Sequence, residues 1–472
     1  MELFLLYEST GGIVGDVEKR DEVCTEESRD KEVLACANQE VPGKCLYSND
    51  SISPDEKRVT VAIFRSIQTN AVRPRPGKEP GPRVRKTTRK VLKQSASRVR
   101  GRPSASQFAG RGRETAQEIL SQPATWTETA RRFEQDAELQ QISQIFSREE
   151  PCLFVACGSS YYLSRTIAAQ WTTLLEASST AVPASELLFA PREVLKRTGA
   201  RQVVLVSRSG KTTEVLRAAE WLKANAAVRT LGVTCSKNSA LEELCTHTVK
   251  LPWADEHSMV MTRSFTSVLL LFEKLGAKSA GDAALLSALD GLPEKTATWL
   301  AVNADKIRAF GAKRPFADFV FLGQGAHYWL AQEAALKLTE MSSSYAQAYH
   351  TLEFRHGPKS IASRDTLITF LLSDAAAEEE SLLVGELKKL GAATLVVANR
   401  ATPGLRRDSD LLIELAADEP EYARLARVAI PAQLLGLAVG LAKGLDPDVP
   451  KNLTRAVVLG GKKDAPVERR GA

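Results

Sequence analysis

The stretch LVSRSGKTTEVLRAAEWL, residues 205–222, passes from an apolar strand through a short polar turn into a helix. The turn concentrates hydroxyl side chains and one glycine where the helix begins, namely Ser207, Ser209, Gly210, Thr212 and Thr213. The first turn of a helix has unpaired N–H groups with partial positive charge, and small residues let an anion approach them. The turn therefore predicts a phosphate-binding site.

Short apolar strands alternate with helices on both sides of this turn. The predicted strands of this part of the chain are PCLFVACG, RQVVLVSRSG, VRTLGVTC and THTVKLPW, and helical stretches such as TTEVLRAAEWLKAN separate them. Val- and Leu-rich strands that alternate with helices are typical of a parallel sheet covered on both faces. The predicted fold class is therefore α/β.

The same pattern occurs a second time. FADFVFLGQGAHYWLAQEAAL corresponds to PCLFVACGSSYYLSRTIAAQW, and the segment that begins DTLITFLLSDAAAEE corresponds to the one that begins RQVVLVSRSGKTTE. We predict two α/β lobes, 114–296 and 297–472, joined by the helical stretch around LPEKTATWLAVNADKIRAF. Acidic residues replace the hydroxyls at the second copy of the turn and would repel an anion, so we expect one phosphate site per chain.

Residues 1–112 show no sustained periodicity and end in a basic, Pro- and Gly-rich run. Residues 73–113 carry a net charge of +13 against +6 for the whole chain, so the remainder is acidic. Such a composition buries too little apolar surface to fold, and we expect disorder. The run lacks interleaved aromatic residues, which favours a solvated linker, or upstream sequence translated from a misassigned start, over nucleic-acid binding.

We expect a cytoplasmic protein without a membrane partner. No apolar run in the sequence approaches the length of a membrane span, and the N-terminal MELFLLYESTGG is too short for a secretory signal. The seven cysteines form no CxxC pair and have no histidines at metal-binding spacing. The sequence therefore predicts reduced structural thiols and no metal site.

Two strand-to-helix turns of the first lobe have similar composition, CGSSYY at 157–162 and SRSGKTT at 207–213. Ligands of open parallel sheets bind beyond the carboxyl ends of the strands, so we expect the hydroxyls of both turns to meet at one phosphate. Helix capping is the alternative, since it also favours Ser and Thr at helix starts. A third stretch, ADEHSMVMTRSFTSVLLLF, places Thr262 and Arg263 just before an apolar helix. This stretch is either a lid or a further phosphate or hydroxyl contact, and Arg263 is alternatively a surface side chain.

The segment EAALKLTEMSSSYAQAYHTLEFRHGPKS, residues 333–360, is the candidate catalytic region. Glu333, Lys337 and Glu340 fall at i, i+4 and i+7 on one helix face, which is also the pattern of a solvent-exposed salt-bridge stripe. The following EFRHGP contains His356, and a histidine can transfer protons near neutral pH. Catalysis and surface salt bridges both stay open from these residues alone.

Taken together, CGSS, SRSGKTTE, MTRSFT, EAALKLTE, EFRHGP and the closing PKNLTRAVVL resemble the double sugar-isomerase (SIS) domain proteins. They look like the isomerase half of glutamine–fructose-6-phosphate transaminase and like the amino-sugar-phosphate deaminase/isomerases, including the tagatose-6-phosphate ketose/aldose isomerase type. The resemblance covers about residues 114–460. It implies two flavodoxin-like parallel-sheet SIS lobes in tandem, with the phosphate site in the first lobe and the catalytic helix in the second.

The resemblance also implies roles for individual residues. Residues of the two turns would hold the sugar phosphate, namely Ser159, Ser160, Ser207, Arg208, Ser209 and Thr212. Glu340 would be the base that moves a proton between C1 and C2 through an enediol or enolamine, and Lys337 would stabilise the developing negative charge. His356 would assist ring opening from the partner subunit, which implies a homodimer with a shared active site.

Two departures from the transaminase narrow the expected reaction. Arg455 stands where the transaminase has a lysine that contacts the open-chain sugar, and because arginine stays protonated it cannot provide the amine of an imine. The chain begins MELFLL and its N-terminal region is too short for a glutaminase domain. Glutamine-dependent amination is therefore not expected.

These inferences lead to a sugar-phosphate aldose–ketose isomerase or an amino-sugar-6-phosphate deaminase that needs no cofactor. A deglycase of sugar–amine phosphate adducts is one alternative, because it requires the same proton transfer. A sugar-phosphate-sensing regulator is an alternative of another class, but such regulators join one SIS lobe to a helix-turn-helix domain, which is not evident before residue 112. A sugar-phosphate-binding protein without catalysis is the third.

Overall fold

The computed structural model describes residues 110–145 and 150–459. The region predicted to be disordered, 1–112, lies outside the described residues except for its last three positions, and so does most of the basic run 73–113. The described part of the chain forms two parallel sheets of five strands each.

The first lobe contains one sheet and the helices that cover it. Its strands are β1 (Cys152–Ala156), β2 (Ser179–Pro183), β3 (Gln202–Val206), β4 (Arg229–Thr234) and β5 (His247–Lys250). Its helices are α1 (Arg113–Leu120), α2 (Gln122–Gln135), α3 (Ala137–Ile145), α4 (Ser159–Leu174), α5 (Ala184–Phe189), α6 (Pro191–Thr198), α7 (Thr213–Asn225), α8 (Leu241–Leu244) and α9 (Arg263–Ala280), with a 3-10 turn at Pro252–Ala254.

The second lobe repeats this arrangement after the long helix α10 (Ala283–Gly311). Its strands are β6 (Asp318–Gly323), β7 (Ala346–His350), β8 (Thr366–Leu371), β9 (Ala393–Ala398) and β10 (Leu411–Glu414). Its helices are α11 (Ala326–Ser342), α12 (Ala377–Lys389), α13 (Pro403–Asp408) and α14 (Leu425–Ala442), with 3-10 turns at Glu353–Arg355, Pro358–Ile361 and Glu421–Arg424.

The two sheets have the same strand order. The first runs β2-β1-β3-β4-β5 and the second β7-β6-β8-β9-β10, and every described strand pair is parallel. This is the flavodoxin-like order, in which ligands bind where the strand order reverses, between the first and third strands. The predicted α/β class and the two flavodoxin-like lobes are therefore confirmed.

Helix α10 crosses the predicted lobe boundary at residues 296 and 297 without a break, and it contains Pro293. Its N-cap is Asp282, whose side chain accepts a hydrogen bond from the Leu285 N–H at 2.9 Å and so satisfies one of the unpaired donors of the first turn. Its buried positions recur at helical spacing, so one face packs against the core throughout its length. The helix therefore belongs to both lobes.

One stretch of the described residues, Glu421–Ala442, is long and apolar enough to cross a membrane, so the expectation that no apolar run approaches that length is wrong. Its apolar window is 89% buried inside the protein, as in a core helix. The stretch ends in α14, which packs against α10 and α11. Gly436 and Gly440 of α14 lie directly over the backbone of Lys337 and Met341. Because these glycines have no side chains, α14 can pack closely against α11.

Candidate active site

Two turns of the first lobe carry hydroxyl side chains at the carboxyl edge of its sheet. The turns follow β1 and β3, which are parallel neighbours and therefore end at the same edge. Ser159 and Ser160 begin α4 and are buried, and so is Ser207. Ser207 Oγ lies 3.0 Å from Thr212 Oγ1, and Ser209 Oγ accepts a backbone N–H from within the same turn at 3.2 Å.

The hydroxyls of these turns do not cap the helices that follow them. The N-cap residues are Gly158 for α4 and Thr212 for α7, and neither helix has a side-chain hydrogen bond at its cap. Gly210 has φ 64°, and a side chain there would collide with Ser239, so the second turn closes only with glycine. Capping therefore does not account for the Ser and Thr residues, which favours the alternative of anion binding.

The catalytic candidates lie on α11. Lys337 is buried, its Nζ lies 3.6 Å from Glu333 Oε1, and it also contacts Glu340 Oε2. Glu333 is buried as well, whereas the Glu340 side chain is 17% exposed. The ladder is therefore not a solvent-exposed stripe but a buried cation between two carboxylates, of which Glu340 is the more accessible.

Burial raises the pKa of Glu333 to about 8, Glu340 adds to the rise, and Lys337 and the Ser159 hydroxyl oppose it. Burial lowers the pKa of Lys337, but the carboxylates of Glu333 and Glu340 outweigh burial, so its pKa is raised overall. Lys337 is thus a protonated ammonium at neutral pH. The first phosphate turn leads into α4, which packs against α11.

The model of the SIS domain family matches residues 145–277 and 318–439, more than half of the chain. The first range contains all strands of the first sheet, and the second contains all strands of the second sheet. The chain belongs to the SIS domain family.

Similar solved structures include a sugar-phosphate isomerase and a deaminase. A solved glucosamine-6-phosphate deaminase of Thermotoga maritima is 31% identical with a TM-score of 0.60, over 73% of this chain and 100% of that one. A solved tagatose-6-phosphate ketose/aldose isomerase of Escherichia coli has a TM-score of 0.66 at 19% identity, over 77% of this chain and 100% of that one, and shows the fold alone.

A curated relative, the glutamine–fructose-6-phosphate aminotransferase of Methanothermobacter thermautotrophicus, is 28% identical over 344 residues, which cover 72% of this chain and 57% of that protein. Other aminotransferases of this kind, such as the one of Chlamydia muridarum, are matched over 52% of their length. The chain spans about half the length of the curated relatives it matches. These similarities agree with the assignment of the SIS protein to the SIS domain family.

In the structure of this SIS protein, His356 lies outside α11, in the loop that follows β7. His356 follows the 3-10 turn Glu353–Arg355, its backbone N–H donates to the Glu353 carbonyl at 2.9 Å, and the residue is exposed. Within residues 110–145 and 150–459, no hydrogen bond or ion pair joins it to Lys337 or Glu340. Its assignment as a residue that acts across a subunit boundary stays a prediction.

Thr262 does not face the phosphate turns. It is fully buried, and both its N–H and its hydroxyl donate to Glu256, the hydroxyl at 3.0 Å. These contacts fix the start of α9, and the predicted substrate contact of Thr262 stays a prediction. Arg455 lies at the surface, where its Nη2 pairs with Asp255 Oδ1 at 2.7 Å.

Arg208 is the predicted phosphate ligand whose side chain points elsewhere. It is buried, and its Nη1 donates to Glu256 Oε2 at 3.1 Å. Its Nη2 donates to the carbonyls of Met259 and Arg455, at 3.0 and 3.2 Å. The guanidinium therefore donates hydrogen bonds to three protein acceptors. The backbone of Arg208 lies in the phosphate turn, whereas its side chain binds these acceptors.

Sequence reasoning missed two acidic residues of the site. Glu333 was noted only as part of a ladder, although its carboxylate is buried and neither oxygen has a hydrogen-bond partner among the described residues. Glu256 was not singled out, although it is buried and pairs with Arg208. The signal for Glu333 was its i, i+4 spacing to Lys337, whereas Glu256 had no local pattern that could reveal its partner 48 residues away.

The described part of the chain shows no group of three His, Cys, Asp or Glu residues arranged to hold a metal ion. The four cysteines within it, Cys152, Cys157, Cys235 and Cys245, are free thiols. Burial raises the pKa of Cys157, which lies in the first phosphate turn, to about 11, so its thiol is protonated at neutral pH. The site is therefore assembled from hydroxyls, carboxylates and one lysine.

Proposed function

We propose that this protein interconverts the aldose and ketose forms of a hexose phosphate or amino-hexose phosphate, and that it releases ammonia when C2 carries an amino group. The observation that supports this proposal best is the buried ammonium of Lys337, held between Glu333 and Glu340 and adjoining the Ser159 end of the phosphate turns. A proton next to a carbonyl is removed by a positioned carboxylate, and the resulting oxyanion needs a nearby positive charge.

The proposed reaction begins with the open-chain aldose. Glu340 takes the proton from C2, the electrons of that C–H bond form the C1–C2 double bond, and Lys337 stabilises the negative charge on O1. Glu340 then returns the proton to C1 while the proton of the C2 hydroxyl moves to O1, which gives the ketose. If C2 carries an amino group, one of its N–H protons moves to O1 instead, so the product is an imine at C2, and water hydrolyses this imine to the ketose with release of ammonia.

The phosphate is proposed to bind to the hydroxyls of the two first-lobe turns, Ser159, Ser160, Ser207, Ser209 and Thr212. Their position at the starts of α4 and α7 adds the free N–H groups and the positive dipole ends of two helices. Arg455, at the surface nearby, is proposed to contact the open-chain sugar. His356 of a second copy would open the sugar ring, so we also propose a homodimer.

The amino sugar is the favoured substrate because the solved relative at 31% identity is a glucosamine-6-phosphate deaminase. The test incubates the protein separately with glucosamine-6-phosphate, galactosamine-6-phosphate and fructose-6-phosphate in deuterated water. Ammonia is measured enzymatically, and hydrogen exchange at C1 and C2 is followed by NMR. Ammonia release together with exchange supports a deaminase, and exchange without ammonia supports an isomerase.

Variants then test the residue assignments. Glu340→Gln should abolish exchange at C2, because an amide cannot accept the proton, while the sugar phosphate still binds. Glu379→Gln is the matched control, since Glu379 is an exposed glutamate of the second lobe outside the site. Full turnover in Glu340→Gln would show that another group is the base. Ligand-induced thermal stabilisation without exchange for all three sugars would instead favour a sensing or binding protein.

A further inference from the structure

The described chain ends in a C-terminal strap, which we define as residues 446–459, that lies over the first lobe. Its prolines Pro447 and Pro450 are buried, but its Val and Leu side chains are exposed, with Val449 59% and Val457 52% exposed. Beyond Pro450, hydrophobic burial therefore contributes little to holding the strap in place. The position of this part depends instead on hydrogen bonds to the protein beneath it.

These hydrogen bonds occur at both ends of the strap. At its start, Asp448 accepts hydrogen bonds from the N–H groups of Glu114 and Thr115, at 3.1 and 2.7 Å, at the beginning of α1. At its end, the Val457 carbonyl accepts from the Thr213 N–H at 3.2 Å, and the Leu459 N–H donates to Thr213 Oγ1 at 2.9 Å. Thr213 begins α7, so the strap touches the second phosphate turn directly.

Between these ends, Arg208 is the link with a buried side chain. Its Nη2 donates to the carbonyl of Arg455 in the strap and to that of Met259 in the loop before α9. Met259 is itself tied to the strap, because its N–H donates to the Asp448 carbonyl at 3.2 Å. A charged donor strengthens such hydrogen bonds to about twice the neutral value.

Glu256 keeps the guanidinium of Arg208 in this position. Its carboxylate pairs with Arg208 at 3.1 Å and also accepts from the Ser264 hydroxyl at 2.6 Å and from Thr262. The carboxylate is thereby anchored to the first turn of α9, and it balances the charge of Arg208 in the protein interior, where both side chains are buried. Rotation of Arg208 toward a phosphate would leave Glu256 buried and unpaired, which is costly.

We propose that Arg208 is a positioning residue that holds the C-terminal strap over the phosphate turn and so places Arg455 beside the substrate, rather than a ligand of the phosphate. The hydrogen bond from Arg208 to the Arg455 carbonyl fixes the backbone of Arg455. The hydrogen bond from Arg455 Nη2 to Asp255 Oδ1, at 2.7 Å, fixes the direction of its side chain. The role of Arg455 toward the sugar rests on the proposed function. The hold of Arg208 on the strap does not, and it can be tested without any substrate.

The first experiment measures hydrogen exchange in the full chain by mass spectrometry. Arg208→Met removes the donors but keeps an apolar side chain of similar length, and exchange of the strap amides and of the Thr213 N–H should become about 10- to 100-fold faster, the range for loss of a charged hydrogen bond. Arg263→Met is the matched control, because Arg263 donates to the Asp255 carbonyl in the same loop but not to the strap.

Three outcomes of the exchange experiment overturn the proposal: unchanged strap exchange in a folded Arg208→Met variant, equal acceleration in Arg263→Met, or acceleration spread over the whole chain. If Arg208→Met does not fold, Arg208→Lys replaces it. Lysine keeps a charge next to Glu256 but has no planar fork to reach both carbonyls, so the strap amides should still exchange several-fold faster.

The second experiment separates positioning from phosphate binding. The inhibition constant of inorganic phosphate should change less than about threefold in Arg208→Met, since no hydroxyl of the turns is altered. A rise of this constant by tenfold or more would identify Arg208 as a phosphate ligand. In a double-mutant cycle, Arg208→Met should add little to the loss of kcat/KM already caused by Arg455→Met. Additive losses would overturn the proposal, whereas an inactive wild type would count against the proposed function alone.

Discussion

Replacement of Lys337 by methionine tests whether the charge of this buried side chain serves the reaction. Methionine fills a similar volume without a charge, so the packing of α11 is largely kept. Two unit charges 3.6 Å apart, the separation of Lys337 Nζ and Glu333 Oε1, interact by about 5 kcal/mol at an effective dielectric constant of about 20. The variant therefore loses the attraction to Lys337 that opposes the rise in the pKa of Glu333.

Turnover should fall strongly in this variant. Loss of one group that stabilises an oxyanion lowers kcat by about 10²- to 10³-fold, and we expect a fall of that size for Lys337→Met. The KM for the sugar phosphate should change little, because the proposed phosphate ligands lie on the other lobe. Steady-state kinetics at saturating and limiting substrate separate the two effects.

The pH dependence of stability should change as well. The pKa of Glu333 is raised to about 8 in the folded protein, so its proton stabilises the fold at low pH, and this contribution is lost as the pH rises through that value. Without Lys337 the pKa of Glu333 rises further. The contribution of Glu333 to the free energy of unfolding should therefore stop falling near pH 8 in the wild type, whereas in Lys337→Met it should continue to fall above pH 8.

Urea unfolding followed by circular dichroism between pH 5 and 9.5 measures these curves. Lys274→Met is the control, because Lys274 is equally buried and pairs with Asp290 at 2.5 Å, but lies on α9 outside the site. We expect this control to lose stability without a comparable loss of kcat. Full turnover of Lys337→Met, or an equal loss of kcat in both variants, would refute the role assigned to the charge of Lys337.

Two further predictions concern the second lobe. Burial raises the pKa of Glu380 to about 7, so the free energy of unfolding of the wild type should fall by up to about 3 kcal/mol between pH 5 and 7 relative to that of Glu380→Gln. Urea unfolding measures this difference, and parallel pH curves would contradict it. Gly440→Ala places a methyl group against the Met341 carbonyl of α11 and should cost about 1–3 kcal/mol together with part of the turnover. Gly291→Ala on α10, where the new methyl group meets only Lys295 Cε at 3.8 Å, should be neutral or stabilising, and equal melting temperatures of the two variants would argue against close packing at Gly440.

Much of the fold could be predicted because hydrophobic pattern determines it. Strands β1, β3, β8 and β9 are fully buried, and β6 is buried except at Asp318. These strands read as continuous apolar runs, and the same order of runs in both halves predicted two lobes. Strands β2 and β7 were not predicted. Their sequences STAVP and AQAYH are short and partly polar, and both strands lie at a sheet edge where one side remains accessible. Their pairing depends on a neighbour that local sequence does not reveal.

Local spacing in the sequence predicted which residues of the site share a helix face or a turn, but not their burial or the direction of their side chains. The i, i+4 and i+7 spacing placed Glu333, Lys337 and Glu340 on one face, but their burial follows from tertiary packing of α11. Arg208 was correctly located in the second turn, yet its side chain is directed by Glu256, which is distant in sequence. Side-chain direction depends on such long-range partners, and no local motif encodes them.

The second lobe explains in physical terms why a single phosphate site per chain is expected. At the turn after β8, Glu380 accepts hydrogen bonds from the N–H and hydroxyl of Ser373, at 2.9 and 3.2 Å, and from Thr351 Oγ1 at 2.5 Å. Asp374 of the same turn pairs with Arg424. The chain's own carboxylate thus occupies the donors that the first lobe leaves for a ligand, and a phosphate could bind there only by displacing it. Measurement of phosphate stoichiometry in the wild type and in Glu380→Ala tests this: we expect one phosphate per chain in the wild type, and two in the wild type would contradict it.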